Sequence, residues 1–333
     1  MIKIGLVGVG HLGKIHFKLL RGLASSFEVV GFYDQDPSVQ TQVAEQFGVR
    51  AYPSFEALLG DVDAIDLVVP TLYHHQMASQ AIAAGKHLFI EKPVTHTVPE
   101  AEELLRLSQA HPDLVIQVGH VERFNPAMLA IDPSTLAPVF IEGHRLAVYN
   151  PRGTDVSVIL DLMIHDLDIV LSLIPAEVAS IHASGVAVIS EGPDIANARI
   201  EFANGCVANL TASRISIKNM RRLRLFQKNN YLALDFLKKE TEVLSLTALP
   251  ADPAAGVMQF PLDNGAERRY LRYEKPEVQP INAIEQELHE FADSIQTGAP
   301  VRVSLYDGVR AVRVAHRILA KIEEGLQRMG ATT

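Results

Sequence analysis

The sequence contains a single cysteine, Cys206, which excludes an intrachain disulfide and a cysteine-based metal site. We also find no cluster of metal-ligand residues with convincing spacing, so no bound metal is expected. Positive charge is not in excess either. The net charge of −9 argues against a nucleic-acid-binding surface, although anionic small ligands can still meet local basic clusters.

Long apolar runs are missing as well. None approaches the length of about 20 residues that spans a bilayer. The first residues, MIKIGLVGVG, do not show the basic and then apolar pattern of a signal peptide. The 333 residues, with 48% hydrophobic and 21% charged content, suit about two globular domains. We therefore expect a soluble, cytoplasmic protein without a membrane partner.

Short β-branched runs recur through the first 125 residues, with amphipathic segments between them. The runs are 2–8, 28–34, 64–70, 87–93 and 114–120. Continuous apolar runs of this length fit strands that are buried on both faces of a parallel sheet. Gly85 suits the end of a helix at 73–84, and Thr97 with Glu100 has the spacing of a capping box. The alternation predicts a doubly wound α/β sheet.

A glycine-rich stretch, GVGHLG, follows the first of these runs. It comprises Gly8, Gly10 and Gly13, with His11 and Leu12 between the last two glycines. Glycines at this spacing permit a tight turn and a close approach of the backbone to a pyrophosphate, which the N-terminus of the next helix attracts. The motif alone is weak evidence, and its bland interpretation is a simple turn. Here it lies between a strand and a helix, so it predicts a dinucleotide site.

Asp34 lies about 20 residues beyond the glycines, at the end of the second run, where the Rossmann pattern has an acid that binds the adenine ribose hydroxyls. Gln35 and Asp36 follow it, and no arginine or lysine nearby would neutralise a 2′-phosphate. The sequence therefore favours NAD over NADP. The alternative is that Asp34 only ends a strand.

Lys92 stands between Glu91 and Pro93 at the carboxyl end of the fourth run. Open α/β sheets bind ligands at that edge. A lysine there can donate to a substrate hydroxyl and stabilise the oxyanion as it becomes a carbonyl, and a cis bond before Pro93 would fix its direction. Taken alone, Glu91 and Lys92 would be a solvated pair. Given the dinucleotide site, we predict that Lys92 is catalytic and contacts the cofactor.

Four stretches together resemble the oxidoreductase family that includes glucose–fructose oxidoreductase, inositol dehydrogenase and the rhizopine-catabolism proteins. They are GLVGVGHLG, VVPTLYHHQMASQAIAAGKHLFIEKP, DLMIHDLD and AIEQELHEFADSIQTGAPVRVSLYDGVRAVRVAHRIL. The Glu-Lys-Pro after AGKH is the most telling element. The resemblance covers nearly the whole chain, and it implies an NAD(P)-dependent dehydrogenase.

The resemblance also implies an architecture. A Rossmann domain at 1–125 precedes a substrate-binding and oligomerisation domain of the α+β class at 126–333, with a large open, mostly antiparallel sheet. That sheet would form a homodimer or homotetramer. By the same resemblance, Pro70, Thr71 and His74 border the cofactor, and Glu91 lies near the nicotinamide ribose.

An apolar helix predicted over 155–173 carries Asp161, His165 and Asp168 on one face. In the family pattern, an aspartate and a histidine four residues later line the substrate pocket, and these map onto Asp161 and His165. A histidine suits the base that takes the hydroxyl proton, and Asp161 could orient the substrate or the imidazole. Asp168 could act from the other side or merely satisfy backbone. The alternative is a structural Asp–His pair in a buried helix.

Residues from about 126 onward alternate or run β-rich, which predicts a mostly antiparallel sheet after the helix. The stretch 247–280 is rich in Pro, Ala and Gly and is predicted to be a long loop with a short strand at 267–273. Two amphipathic helices are predicted near 281–297 and 305–327.

The chain departs from many family members, which have a glycine where Met163 lies between Asp161 and His165. The stretches VGHVERFNPA and SRISIKNMRRLRLF look more like the branch that acts on UDP-N-acetylglucosamine-type nucleotide sugars at the 3-hydroxyl. Their candidate substrate-binding residues are Arg123 and Asn125 in the first stretch, and Lys218, Arg221 and Arg222 in the second. The basic residues at 218–224 could meet a diphosphate or form a solvated basic face.

The leading hypothesis is an NAD-dependent dehydrogenase that produces a 3-keto nucleotide sugar. A dehydrogenase of free sugars or polyols is the second, and it would not need the basic residues. A third is an NAD-binding regulator that has lost the chemistry. Lys92, Asp161 and His165 together argue against this third hypothesis.

Overall fold

The computed structural model describes residues 1–150, 156–251, 257–263 and 268–330. The chain divides into two compact units. The first consists of Met1–Phe124 and Ile281–Arg313, and the second of Asn125–Pro280 and Val314–Thr333. The second unit therefore differs from the predicted domain at 126–333, because the segment Ile281–Arg313 belongs to the first unit.

A five-stranded parallel sheet forms the centre of the first unit, with the strand order β2-β1-β3-β4-β5. Its strands are β1 (Ile2–Val7), β2 (Phe27–Tyr33), β3 (Ala64–Leu67), β4 (His87–Glu91) and β5 (Ile116–Gly119). Each overlaps one predicted apolar run. The strands β3 and β5 are buried along their whole length, as expected where helices cover both faces. The predicted doubly wound sheet is confirmed.

Helices connect these strands, and two of them have the end signals that the sequence predicts. The helices are α1 (His11–Gly22), α2 (Pro37–Phe47), α3 (Phe55–Asp61), α4 (His74–Ala83) and α5 (Val98–Gln109), with 3-10 turns at Thr71–Tyr73 and Val121–Phe124. Thr97 and Glu100 form the capping box of α5, and Gly85, with φ +69°, follows α4. The chain order reverses between β1 and β3, which opens a crevice at the carboxyl ends of these strands.

Two C-terminal helices follow the second sheet in sequence, α8 (Ala283–Thr297) and α9 (Leu305–Gly330), close to their predicted positions. The ring of Phe291 on α8 lies 6.4 Å from that of Phe27 and 5.9 Å from that of Phe89. These apolar contacts with the parallel sheet explain why the segment Ile281–Arg313 belongs to the first unit.

A nine-stranded sheet dominates the second unit, with the strand order β13-β14-β12-β11-β10-β6-β9-β8-β7. The strands are β6 (Phe140–Leu146), β7 (Val178–Val186), β8 (Ile195–Phe202), β9 (Val207–Ser213), β10 (Met220–Gln227), β11 (Asn230–Asp235), β12 (Glu240–Thr247), β13 (Met258–Asp263) and β14 (Arg268–Glu274). All neighbouring pairs are antiparallel except β6 and β9. This confirms the predicted large, mostly antiparallel sheet.

The segment 247–280 contains more structure than predicted. The strand at 267–273 is confirmed as β14, but β13 pairs with it and was predicted as loop. β13 contains Pro261, and it is the edge strand of the described sheet, where a missing backbone N–H is tolerated.

The helical segments of the second unit are α6 (Pro126–Leu129), a 3-10 turn at Pro133–Thr135, a π-helical turn at Ile159–Met163 and α7 (Ile164–Leu173). The predicted helix at 155–173 thus consists of a π-helical turn followed by an α-helix, and its first predicted residue lies outside the described residues. Within the described part of the chain, no helix is both long and apolar enough to cross a membrane.

Candidate active site

A cleft of about 730 Å³ lies at the carboxyl edge of the parallel sheet, where the strand order reverses. Six of the predicted cofactor-binding residues line it: Gly8, Gly10, His11, Leu12, Asp34 and Pro70. A crevice at this edge is where open α/β sheets bind dinucleotides. The structure therefore brings together the loop after β1, the end of β2 and the loop after β3.

The three glycines of GVGHLG have distinct roles. Gly8 has φ +87°, a conformation that disfavours other residues. A Cβ on Gly13 would lie 2.0 Å from the carbonyl oxygen of Gly8, so only glycine lets α1 pack this closely. A Cβ on Gly10 would have no atom within 4 Å, so the loop is open there. Gly10 is also the N-cap of α1 and offers no side chain to its first N–H groups, which suits a bound pyrophosphate.

Asp34 is partly buried beside this loop. Its Oδ2 accepts a hydrogen bond from the Val9 N–H at 2.9 Å, and its Oδ1 accepts one from the Asp36 N–H at 3.0 Å. A carboxylate can accept about four hydrogen bonds, so capacity remains for ribose hydroxyls. Among the described residues that line the cleft there is no lysine or arginine. These residues fit the adenosine part of NAD and offer no cation to a 2′-phosphate.

Sequence reasoning missed other parts of the cleft wall. Tyr33 and Phe55 line it with their rings 6.4 Å apart, and α4 contributes Gln76, Met77 and Gln80. The spacing of three and four residues on α4 was the available signal, because such residues share one helix face. Any amphipathic helix has the same spacing, so the spacing alone could not identify these residues as part of a cleft.

The residues after β3 contribute unequally to the cleft. Pro70 lines it, and Thr71 begins the 3-10 turn whose Tyr73 also lines it. His74 is buried, with Nδ1 2.9 Å from the Pro93 carbonyl oxygen and Nε2 2.8 Å from that of Val69. Burial lowers the pKa of His74 although these carbonyls oppose the shift. His74 therefore ties two loops together, and its contact with the cofactor stays a prediction.

Lys92 directly follows β4 at the same edge of the sheet and is partly exposed. The Lys92–Pro93 peptide bond is cis. The backbone N–H of Lys92 donates to Oε2 of Glu91 at 3.1 Å. The Glu91 side chain turns into the interior, where its Oε1 lies 3.4 Å from Nε2 of His16, a residue that sequence reasoning did not single out.

In the second unit, Asp161 lies in the π-helical turn and His165 in the first turn of α7. Both are partly exposed, whereas Asp168 is buried. π-Helical turns are rare and are frequent at functional sites. The exposures distinguish the two predicted catalytic residues from Asp168, whose predicted alternative role is structural.

Two predicted substrate residues have structural partners within their own units. Arg123 lies with its Nη2 3.7 Å from Oδ1 of Asp307. Asn125 is buried, its Oδ1 accepts from the Ala127 N–H, and its Nδ2 donates to the Phe236 carbonyl oxygen. Asn125 therefore caps α6, and substrate binding by either residue stays a prediction.

The basic segment 218–224 does not form a single cluster. Lys218 is exposed, and Arg221 and Arg222 are neighbours on β10, so their side chains point to opposite faces of the sheet. Arg222 donates to Oδ2 of Asp235 at 2.9 Å, and Arg224 pairs with Glu142. Contact of Lys218, Arg221 or Arg222 with a diphosphate stays a prediction.

Family comparisons agree with this architecture. The model described as an oxidoreductase family with an NAD-binding Rossmann fold matches residues 2–120. The GFO/IDH/MocA C-terminal domain model matches residues 143–229. Together these models cover more than half of the chain.

Individual proteins are also similar over long stretches. UDP-N-acetylglucosamine 3-dehydrogenase of Acidithiobacillus ferrooxidans is 34% identical over 98% of this chain and 99% of its own length. Its solved structure aligns with a TM-score of 0.85, 33% identity and coverage of 97% and 98%. Inositol 2-dehydrogenase of Acidothermus cellulolyticus is 31% identical, over 58% of this chain and 60% of its own. The chain belongs to the GFO/IDH/MocA family of NAD-binding oxidoreductases.

Proposed function

We propose that this chain uses NAD to oxidise the 3-hydroxyl of a UDP-N-acetylglucosamine-type nucleotide sugar. The observation that carries the proposal is the similarity to UDP-N-acetylglucosamine 3-dehydrogenase, which extends over 98% of this chain and 99% of that protein. The inositol 2-dehydrogenases are less similar, at 31% identity over 58% of this chain for that of Acidothermus cellulolyticus and 24% over 98% for that of Rhizobium meliloti. The cleft with Gly10 and Asp34 supports the use of NAD.

The proposed chemistry assigns a role to each of three residues. Bound NAD supplies the acceptor for the hydride that leaves the sugar carbon. Lys92 donates a hydrogen bond to the reacting oxygen and stabilises its negative charge as the carbonyl forms. His165 takes the hydroxyl proton, since an imidazole titrates near neutral pH. Asp161 orients the substrate or the imidazole.

A second candidate is oxidation of a free sugar or polyol. The ion pairs of Arg222 with Asp235 and of Arg224 with Glu142 favour it, because these two cations already have anionic partners. Lys218 and Arg221 are exposed, which is compatible with contact to a diphosphate in the first candidate.

A substrate panel tests the proposal. Purified protein is mixed with NAD and UDP-N-acetylglucosamine, UDP-N-acetylgalactosamine, UDP-glucose, N-acetylglucosamine, glucose or myo-inositol, and NADH formation is followed by absorbance. We expect turnover of a UDP-N-acetylhexosamine and little with the free sugars. Lys92→Ala, the matched control, should lose about 100-fold or more in kcat. Turnover of myo-inositol alone would contradict the nucleotide-sugar assignment.

We also propose that the protein assembles as a homodimer or homotetramer through its nine-stranded sheet and works in the cytoplasm. Apolar side chains of the edge strand β13, Met258, Phe260 and Leu262, are exposed in the single chain, which supports an interface nearby. Light scattering after size exclusion would measure the mass. A monomer at all concentrations tested would contradict the assembly.

A further inference from the structure

Four ionisable side chains meet in the interior of the first unit, behind the cleft. They are His16 on α1, Asp66 on β3, Glu91 at the end of β4 and Glu287 on α8. All four are buried, and only Glu91 retains slight exposure. We call them the buried cluster. Ionised groups in an apolar interior are stable only when they are paired or neutralised, so this arrangement requires a physical explanation.

His16 is the centre of the cluster. Its Nδ1 lies 3.0 Å from Oδ2 of Asp66, and its Nε2 lies 3.4 Å from Oε1 of Glu91. Burial lowers the pKa of His16, but the charges and hydrogen bonds of Asp66 and Glu91 outweigh burial and raise that pKa well above 6.5. The two neighbouring carboxylates therefore favour the protonated form of the His16 imidazole.

Glu287 differs from Glu91, whose pKa is lowered, whereas burial raises the pKa of Asp66 as well. Within the described residues its two carboxyl oxygens have no hydrogen-bond partner, although an oxygen lies within 4.8 Å of ligand atoms of both His16 and Glu91. Burial and then the charge of Glu91 raise the pKa of Glu287 well above 4.5. Like charges at this distance are avoided when one acid keeps its proton. The raised pKa of Glu287 and the lowered pKa of Glu91 favour a proton on Glu287 and a charge on Glu91.

Glu91 connects the cluster to Lys92. Its Oε2 accepts the backbone N–H of Lys92 at 3.1 Å, while its Oε1 faces His16. A Cβ on Gly119, in the neighbouring strand β5, would lie 2.8 Å from Oε1, so the carboxylate has no room on that side. The carboxylate is thus confined by α1, by β5 and by the backbone of the residue that follows it.

We propose that His16 is a positioning residue for Lys92 and acts through the carboxylate of Glu91. The inference rests on the proposed catalytic role of Lys92. In this arrangement α1, which begins at the glycine loop, and β4, which ends at Lys92, are joined by the ion pair of His16 with Glu91. Asp66 holds the imidazolium from β3, and the neutral Glu287 closes the cluster without adding a charge.

Loss of the imidazolium should change the titration of Glu91. At present burial raises the pKa of Glu91, but hydrogen bonding to His16 and the charges of His16 and Lys92 outweigh burial and lower it. In His16→Gln the burial remains and the cation is gone, so the pKa of Glu91 rises. Protonated Glu91 is a poorer acceptor for the Lys92 N–H. Activity should then recover as the pH is raised.

The test compares His16→Gln with Leu20→Ala, a control that removes a fully buried side chain from the same helix, α1. We measure kcat against pH with the sugar that the panel identifies, the dissociation constant of NAD, and the melting temperature. His16→Gln should lower kcat on the order of 100-fold near neutral pH, the scale of a misplaced catalytic group, with NAD affinity nearly unchanged. The acid limb of its pH profile should move to higher pH. Leu20→Ala should lower the melting temperature, while its kcat and the acid limb of its pH profile should match those of the wild type.

Three outcomes overturn the inference. The first is a His16→Gln variant with normal kcat and an unmoved acid limb, and the second is an equal loss of kcat in Leu20→Ala. The third is a stoichiometric divalent cation in metal analysis of the purified protein, because a cation taken up by these groups would replace the proton on His16. Failure of the proposed function can be distinguished from failure of this inference. It would appear as wild-type protein that turns over no sugar of the panel, or as a Lys92→Ala variant with full activity.

Discussion

Arg145 on β6 and Asp166 on α7 form a buried bidentate ion pair, with Nε 3.0 Å from Oδ2 and Nη2 2.8 Å from Oδ1. Each side chain is only 3% exposed. Asp166 directly follows His165 in sequence. The ion pair therefore fixes the rotation of α7, the helix that carries the proposed base, about its own axis. A fork-shaped contact of this kind adds geometric specificity as well as energy.

Removing one partner should destabilise the second unit strongly. Asp166→Ala leaves the Arg145 guanidinium buried without its carboxylate, and we expect the free energy of unfolding to fall by about 3–5 kcal/mol. Chemical denaturation measures the change. Glu324→Ala is the matched control, because Glu324 forms an exposed pair with Lys321 and should matter little. Equal effects of the two substitutions would contradict the importance of the buried pair.

Glu287 should make the protein less stable as the pH rises. Its pKa is raised in the folded state, so above 4.5 the unfolded chain loses this proton while the folded chain keeps it. The folded state then binds more protons, and stability falls with increasing pH. Glu287→Gln removes the titration, so its melting temperature relative to wild type should rise from pH 4.5 toward neutral pH. A difference that does not vary with pH would show that Glu287 is ionised when folded.

NAD should bind much more tightly than NADP. Asp34 accepts N–H groups from the loop, and the cleft residues that the structure describes include no cation for a 2′-phosphate. Isothermal titration of both cofactors measures the difference. Asp34→Ser should make the two dissociation constants more similar, because it weakens NAD binding and removes the repulsion between the carboxylate and the 2′-phosphate of NADP. Equal dissociation constants for wild-type protein would refute the role of Asp34.

Substitution of His165 should lower kcat strongly and the melting temperature only slightly. His165→Asn keeps a polar side chain but cannot accept the proton, so kcat should fall by about 100- to 10,000-fold. NAD binding and the melting temperature should change little, and the wild-type rate should fall in acid, where an imidazole base is protonated. A variant that turns over normally but unfolds early would instead favour the structural Asp–His pair.

Much of the first unit could be predicted from sequence because its signals are local. Continuous apolar runs specify buried parallel strands, and Gly8 and Gly13 each meet a backbone requirement. Asp34 follows at the usual spacing. Thr97 and Glu100 satisfy α5 within three residues of each other.

The remaining features depend on contacts between distant parts of the chain. His16 meets Asp66 across a separation of 50 residues, and neither residue looks unusual within its own element. The segment around Phe291 joins the first unit through Phe27 and Phe89, which sequence order alone does not reveal.

Transfer of a labelled hydrogen tests the central claim most directly. UDP-N-acetylglucosamine carrying deuterium at carbon 3 of the sugar is incubated with NAD and the protein, and the NADH that forms is examined by mass spectrometry. We predict NADH that contains deuterium and a slower rate than with unlabelled sugar, because hydride leaves that carbon. NADH without deuterium would contradict the account. So would a protein that forms no NADH from the labelled nucleotide sugar but forms it from a free polyol.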